Sequence, residues 1–468
     1  MNVERPAPRG NSLASRDIAS LVHPYTNLKV HQAEGPLVVT RGDGVYIYDE
    51  SGKEYIEGLA GLWCTSLGFN EKRLAEAAMR QMQALPTYHI FAHKSHEPGI
   101  ELAERLLAMA PVPMSKVFFA NSGSEANDTA IKLVWYYNNA IGRPQKKKIL
   151  SRVRAYHGVT IATASLTGLP GNHRDFDLPI AGILHADCPH HYTQAQPGES
   201  EAAFAARLAD NLEKLILREG PETIAAFIAE PVMGAGGVLM PPAGYFEKIQ
   251  PILKKHDILF IVDEVICGFG RTGNMFGTET FRLEPDMITV AKALSSAYLP
   301  ISGLMISERI WQAMVENSAK IGTFGHGYTY SAHPVAAAVA IETLKIYEER
   351  DILSHIRKVA PAFQAGLRRF AGHPLVGEAQ GVGLIGAIQL VAYKSAKAFF
   401  DPAAAVAPFF ARAAQERGLI VRPLFGDRVA LCPPLIITEA QIEDMYRRFG
   451  QALEDTTAMV TAKGLAKS

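Results

Sequence analysis

Five short segments decide what this chain can fold into: KKKILSRV, IAAFIAEPV, ILFIVDEV, DMITVAKA and ISGLMIS. Each is strongly apolar on both alternating faces, so as a strand it must be covered on both sides. Helical stretches such as AGYFEKIQPILKKH lie between some of them. That alternation requires a largely parallel sheet with helices packed on each face, an α/β architecture. KVFFAN adds a short strand, followed by the long helical pattern SEANDTAIKLVWYYNNAIG. Upstream, RLAEAAMRQMQAL and IELAERLLAMA have helical spacing. GDGVYIYDESGKEYIEGLAG, with Val45 and Ile47 in alternation and turns at Asp43-Gly44 and Ser51-Gly52, reads as a small antiparallel hairpin or meander. The first twenty or so residues are polar and contain Pro and Gly, the composition of a loose arm. From about residue 331 the pattern changes. A helix over roughly 333–349 leads through HIRKVAPAFQAGLRRFA to strands IGAIQLV, GLIVRP and VALCPP and a terminal helix, an α+β arrangement suited to a smaller lobe.

At 468 residues the chain exceeds one small core. Its 47 Lys plus Arg balance 47 Asp plus Glu, which argues against a nucleic-acid scaffold or a polybasic membrane binder. Cys64, Cys188, Cys267 and Cys432 lie far apart, giving neither a disulfide framework nor a zinc ribbon. The N-terminus has no apolar segment of a signal peptide, and no run is long enough to span a bilayer. The expectation is a soluble protein of the reducing cytoplasm.

Two segments match a dinucleotide fingerprint literally, GFGRTG and GVGLIG. The first is followed by a poor helix start and the second runs on as a strand, so neither supplies the strand-to-helix turn the fingerprint needs. NSGSE is more informative, since a strand ends, the chain turns and a long helix begins. Ser122 with Glu125 fits a capping box, and the same geometry makes a phosphate cradle from Ser122, Gly123 and Ser124. Asp263 closes the apolar strand of FIVDEV, at the edge where open α/β sheets place ligands. Alone it fits a turn cap, an ion pair with an arginine such as Arg271, a magnesium ligand or a partner for a protonated ring nitrogen. Glu230 and Lys292 hold the equivalent place on the preceding and following candidate strands. One ionisable residue there is usually structural, whereas three on one rim point to a site. VRAYHGVT adds Tyr156 and, beside it, His157, whose imidazole taken alone reads as a hydrogen-bonded structural group. Tyr328 and Thr329 lie in a Gly-rich, hydroxyl-rich loop, FGHGYTYSAHP. DCPHHY reads as a surface loop, because adjacent histidines rarely chelate one ion; no metal site is expected.

These parts ask for a ligand with a phosphate, a flat ring, a basic ring nitrogen and an aldehyde. Pyridoxal phosphate has all four, with Lys292 as its Schiff-base lysine. From HPYTNLKVH to the last helix, the chain resembles the class III (omega) aminotransferases of pyridoxal-phosphate fold type I. The stretches that carry the likeness are GLWCTSLGF, NSGSEANDTAIKL, AYHGVT, AEPVMGAGGV, DEVICGFGRTG, ITVAKALSSAYLP and GYTYSAHPVAAA. The resemblance implies a mostly parallel seven-stranded sheet in a large cofactor-binding domain over 66–330. It implies an arm and part of the small domain over 1–65, and the C-terminal small domain over 331–468. Lys292 would be catalytic and bound to the cofactor, Asp263 would pair with the ring nitrogen, Tyr156 would stack on the ring and Val265 would pack behind it. Gly123 and Ser124 would hold the phosphate, and Glu230 and His157 would lie close by. Tyr328 and Thr329 would complete the phosphate site from another subunit, implying a homodimer or tetramer with shared sites. Trp63, Phe91 and Tyr156 would line the substrate pocket, and Arg422 would take a carboxylate and swing aside for an uncharged amine.

The implied reaction has two halves: an amine or ω-amino acid donates its amino group, and a keto acid, pyruvate, accepts it and leaves as alanine. A related aminomutase or decarboxylase and a non-catalytic binding protein are the competing readings. Ala293 and Ala297 stand where glycine is frequent in the family, and Ala92 replaces a bulkier aromatic, which implies a roomier pocket.

Overall fold

The computed structural model describes residues 10–466. Strands β1 (Val39–Asp43), β2 (Tyr46–Asp49) and β3 (Glu54–Glu57) form the expected antiparallel meander. The central sheet follows, from β4 (Lys116–Ala120), β5 (Lys148–Arg152), β6 (Ile183–Ala186), β7 (Ile224–Ala229), β8 (Leu259–Asp263), β9 (Met287–Val290) and β10 (Ser302–Ile306). Its order is β4-β10-β9-β8-β7-β5-β6, and β10 alone runs antiparallel to its neighbours. Every residue of β7, β8, β9 and β10 is buried, the physical reason for their two-faced apolar pattern. Alternate residues feed two cores. Phe227 and Phe260 pack against the helices Glu201–Glu219 and Tyr245–Lys255, with Phe204 and Phe246 among their partners. Ile228 and Ile261 face the opposite side, where Ile131 and Val134 of the helix Gly123–Ala140 and Ile310 of Glu308–Ile321 close the core. Each such buried side chain contributes about 2 kcal/mol.

The small lobe holds β11 (Val376–Val382), β12 (Ile385–Leu390), β13 (Leu419–Ile420), β14 (Arg422–Leu424) and β15 (Arg428–Leu431). β11, β12, β15 and β14 form one antiparallel sheet, in that order. β13 instead pairs parallel with β3, tying the N-terminal meander to the C-terminal part of the chain. GLIVRP is thus two strands in two sheets, divided at Val421. GVGLIG falls on the β11–β12 hairpin, and GFGRTG lies in turns.

Three expectations need correction. The arm is not loose throughout: Ser12 caps a helix Leu13–Ser20 and Asn27 caps a second, Leu28–Glu34. Residues 1–9 of that arm lie outside the described residues. β6, at one edge of the sheet, was not expected, since its four residues are only partly apolar. DCPHHY is not a surface loop, because Cys188 and His190 are buried and His190 meets Glu378 of the small lobe at 2.9 Å. Among the described residues no helix is long and apolar enough to cross a membrane.

Candidate active site

β7, β8 and β9 are adjacent and parallel, and Glu230, Asp263 and Lys292 follow or end them on one edge. A cavity of about 360 Å³ opens there, lined by Glu230, Asp263 and Lys292 together with Ser122, Gly123, Ser124, Tyr156, His157 and Val265.

Asp263 is buried and held by three donors. Asn127 Nδ2 donates to its Oδ2 at 2.7 Å, His157 Nδ1 lies 2.8 Å from the same oxygen, and the Val265 N–H donates to Oδ1 at 3.0 Å. The carboxylate accepts, so a neutral His157 carries its proton on Nδ1. Asn127 also donates to the His157 carbonyl at 2.8 Å and so fixes both residues. Glu230 accepts the Tyr156 N–H and the Gly234 N–H, each at 3.0 Å. Burial, with Asp263 nearby, raises its carboxyl above the ordinary range. Burial acts oppositely on Lys292 and lowers its ammonium pKa, against the pull of Asp263 and Glu230. A larger share of this amine is therefore neutral than of a lysine in water.

Lys292 opens a 3₁₀ turn, Lys292–Ser295, with a left-handed φ of 51°. The serines after it are structural. Ser295 Oγ donates to the Leu299 carbonyl at 2.6 Å, and Ser296 Oγ accepts the Leu67 N–H at 2.9 Å.

Helix Gly123–Ala140 begins at the cavity. Ser122 Oγ accepts the Glu125 N–H, but the Glu125 carboxylate reaches back to the Asn121 N–H at 2.7 Å rather than to Ser122, so the capping box is only half formed. The first-turn N–H groups of Gly123 and Ser124 have no acceptor among the described residues. Val265 presses on Gly123 so closely that a Cβ there would lie 2.9 Å from its methyl carbon.

The other expected residues are placed differently. Trp63 is buried in an apolar cluster with Ile266, which lines the cavity. Arg422 is half-buried near Tyr156; burial lowers its guanidinium pKa, and no side-chain hydrogen-bond partner meets it among the described residues. Phe91 and Thr329 are exposed and do not line this cavity; Phe91 faces a second one of about 660 Å³ and touches Gly327. Tyr328 also lies off the cavity and bonds its own chain, its hydroxyl meeting Thr129 Oγ1 and the Glu125 carbonyl at 3.2 Å each. Sequence reasoning missed two residues. Asn127 was one polar residue inside an amphipathic helix, though its place one turn beyond the cradle was a usable signal. Tyr25 in HPYTN receives a bond from Asn172 at 2.5 Å and lies near enough to Tyr156 and Arg422 to bear on their charge, a placement that sequence does not announce.

The class III aminotransferase family model matches residues 28–453. The chain belongs to the class III aminotransferases. This aminotransferase is 53% identical to γ-aminobutyrate transaminase 3 of Solanum lycopersicum, over 90% of this chain and 81% of that protein. It is 52% identical to vanillin aminotransferase of Capsicum annuum, over 91% and 93% of the two chains. The omega transaminase of Pseudomonas jessenii in complex with PMP superposes with a TM-score of 0.95 at 55% identity, over 96% of this chain and 99% of that one. The class uses pyridoxal phosphate, and the site suits it. Unpaired N–H groups at a helix N-terminus fit its phosphate, the pinned carboxylate of Asp263 fits a ring nitrogen, and a partly neutral lysine amine fits its aldehyde.

Proposed function

We propose that this aminotransferase moves the amino group of an amine or ω-amino acid to a keto acid, pyruvate being the acceptor. The observation that carries the reading is the convergence of Lys292, Asp263 and the Ser122–Ser124 turn on one cavity. Bound pyridoxal phosphate supplies the carbonyl that exchanges an amino group and the ring that takes up electrons. Lys292 would bind its aldehyde and then, as a neutral amine, take a proton from the substrate carbon and return it. Asp263 would keep the ring nitrogen protonated, its own orientation set by Asn127 and His157. Gly123 and Ser124 would hold the phosphate and Tyr156 the ring, with Glu230 bracing the Tyr156 backbone.

Arg422, half-buried and without a side-chain hydrogen-bond partner among the described residues, suits a substrate carboxylate. A variant of the Pseudomonas jessenii enzyme engineered for enantiopure bulky amines carries substitutions at one Trp, one Phe and one Arg; the same three residue types stand at the same separations here as Trp63, Phe91 and Arg422. This supports their place in the substrate pocket. Because Phe91 and Thr329 are exposed and lie off the cavity of their own chain, we assign them to the site of a second copy in a homodimer.

The test is alanine formation from pyruvate with a panel of donors: γ-aminobutyrate, other ω-amino acids and arylalkylamines. Lys292→Ala should lower turnover by at least about 10²-fold and remove the visible absorbance of the loaded protein. Full activity in that variant would sink the proposal, and a keto-acid acceptor other than pyruvate would correct it.

A further inference from the structure

Arg422 begins the hairpin β14–β15, whose connecting residues 425–427 reach back toward the large lobe. Two guanidiniums hold that hairpin. Arg154, two residues before Tyr156, donates from Nη2 to the Phe425 carbonyl at 3.0 Å and stands 5.4 Å above the Phe425 ring. Arg428 has no exposed surface; it donates from Nε to the Gly237 carbonyl at 2.5 Å and from Nη1 to Glu378 Oε2 at 2.7 Å. His190 of the large lobe meets the same Glu378 oxygen.

Both side chains converge on the glycine pair of GAGGV. A Cβ on Gly237 would lie 2.7 Å from Arg428 Cδ and 2.9 Å from Arg154 Nη2, and one on Gly236 would lie 2.1 Å from the Arg154 carbonyl oxygen. Gly237 has φ +134°, a second reason for glycine there. These glycines therefore give clearance to two arginines rather than to a ligand. The arrangement is costly, because only Arg428 of the two cations is paired with a carboxylate, while Arg154 Nε and Arg428 Nη2 are buried with no acceptor among the described residues. A single Lys or Met would fill the space at less expense, so the geometry of the hairpin is what the pair secures.

We infer that Arg154 is a positioning residue, tying the segment that carries Tyr156 to the turn of the hairpin that carries Arg422 and so setting where the Arg422 guanidinium stands. The inference rests on the proposed role of Arg422 toward carboxylates. Tyr156 is held separately by its N–H bond to Glu230, so loosening the turn acts on Arg422 and on substrates with a carboxylate rather than on uncharged amines.

The experiment uses the cofactor-loaded enzyme. Arg154→Met keeps the stem and removes the donors. It should raise the apparent KM for pyruvate about tenfold, the scale of one lost charged hydrogen bond, with kcat within about twofold and single-turnover reaction of an uncharged arylalkylamine unchanged. Arg154→Lys, which keeps one donor, should recover most of that loss; if the Met variant does not fold, a rise of about threefold confined to pyruvate in the Lys variant carries the inference instead. Arg422→Leu is the control, and no rise in pyruvate KM there refutes the role of Arg422 itself. A rise with Arg422→Leu but none at position 154, or an equal loss toward pyruvate and the uncharged amine, overturns the positioning role.

Discussion

A buried carboxylate is governed by its donors, and two in this enzyme show the range. Asp263 has three well-placed N–H donors and keeps a defined orientation at the cavity. Glu57, at the end of β3, is 5% exposed and accepts the Leu59 N–H at 2.9 Å. Burial pushes its carboxyl up to about 7. Because the folded value exceeds the unfolded one, folding favours the protonated acid. The associated stability is present below the unfolded pKa near 4.5 and is lost as pH rises through about 7. Glu57→Gln removes the titration while keeping an acceptor for Leu59. The variant should match the parent near pH 5 and exceed it at pH 8 by up to roughly 3 kcal/mol, read from urea midpoints at the two pH values. An advantage that is the same at both pH values would refute this account.

At the scale of elements, what was legible followed from periodicity. β7, β8 and β9 are apolar on both faces, so their last residues had to reach one sheet edge, and the ionisable rim of Glu230, Asp263 and Lys292 could be read from that. For Asn127 the place one turn beyond the cradle hinted at the site, but its partner could not be read, since knowing that it meets Asp263 requires knowing which side of Gly123–Ala140 turns toward β8. His190 was misplaced for a similar reason: its partner Glu378 lies 188 positions away in the chain. The alanines after Lys292 can now be separated. Ala293 sits within the 3₁₀ turn, but Ala297 holds a left-handed φ of 61°. A Cβ in that region costs about 1 kcal/mol. Ala297→Gly should therefore stabilise the protein by up to about 0.5 kcal/mol after the glycine's greater unfolded-state entropy is subtracted, visible as a slightly higher urea midpoint. A lower midpoint would show that contacts of the Ala297 methyl outweigh the backbone strain.

At the scale of the whole molecule, the parts of the chain meet through residues far apart in sequence: β3 of the N-terminal meander pairs with β13 of the small lobe, and Arg271 of the large lobe donates to the Leu384 and Pro433 carbonyls at 3.0 and 2.7 Å. This explains why Arg271 makes no pair with Asp263. The site nevertheless draws on less than the full expected set. Phe91 at 45% exposure is a large apolar ring beside the loop that carries Thr329, and Ile90, Tyr88 and Tyr330 around the same segments are also exposed. Surfaces of this kind are covered in stable proteins, most often by a second copy through a two-fold axis. Sedimentation velocity should then give a mass about twice the 50.9 kDa of one chain. Dilution that yields monomers should release the cofactor in parallel, since the proposed contribution of Thr329 to phosphate binding would be lost. The coupling separates this account from ordinary surface stickiness: a monomer that retained cofactor and full turnover would place every needed group within one chain, and Phe91 and Thr329 would have to be removed from the site.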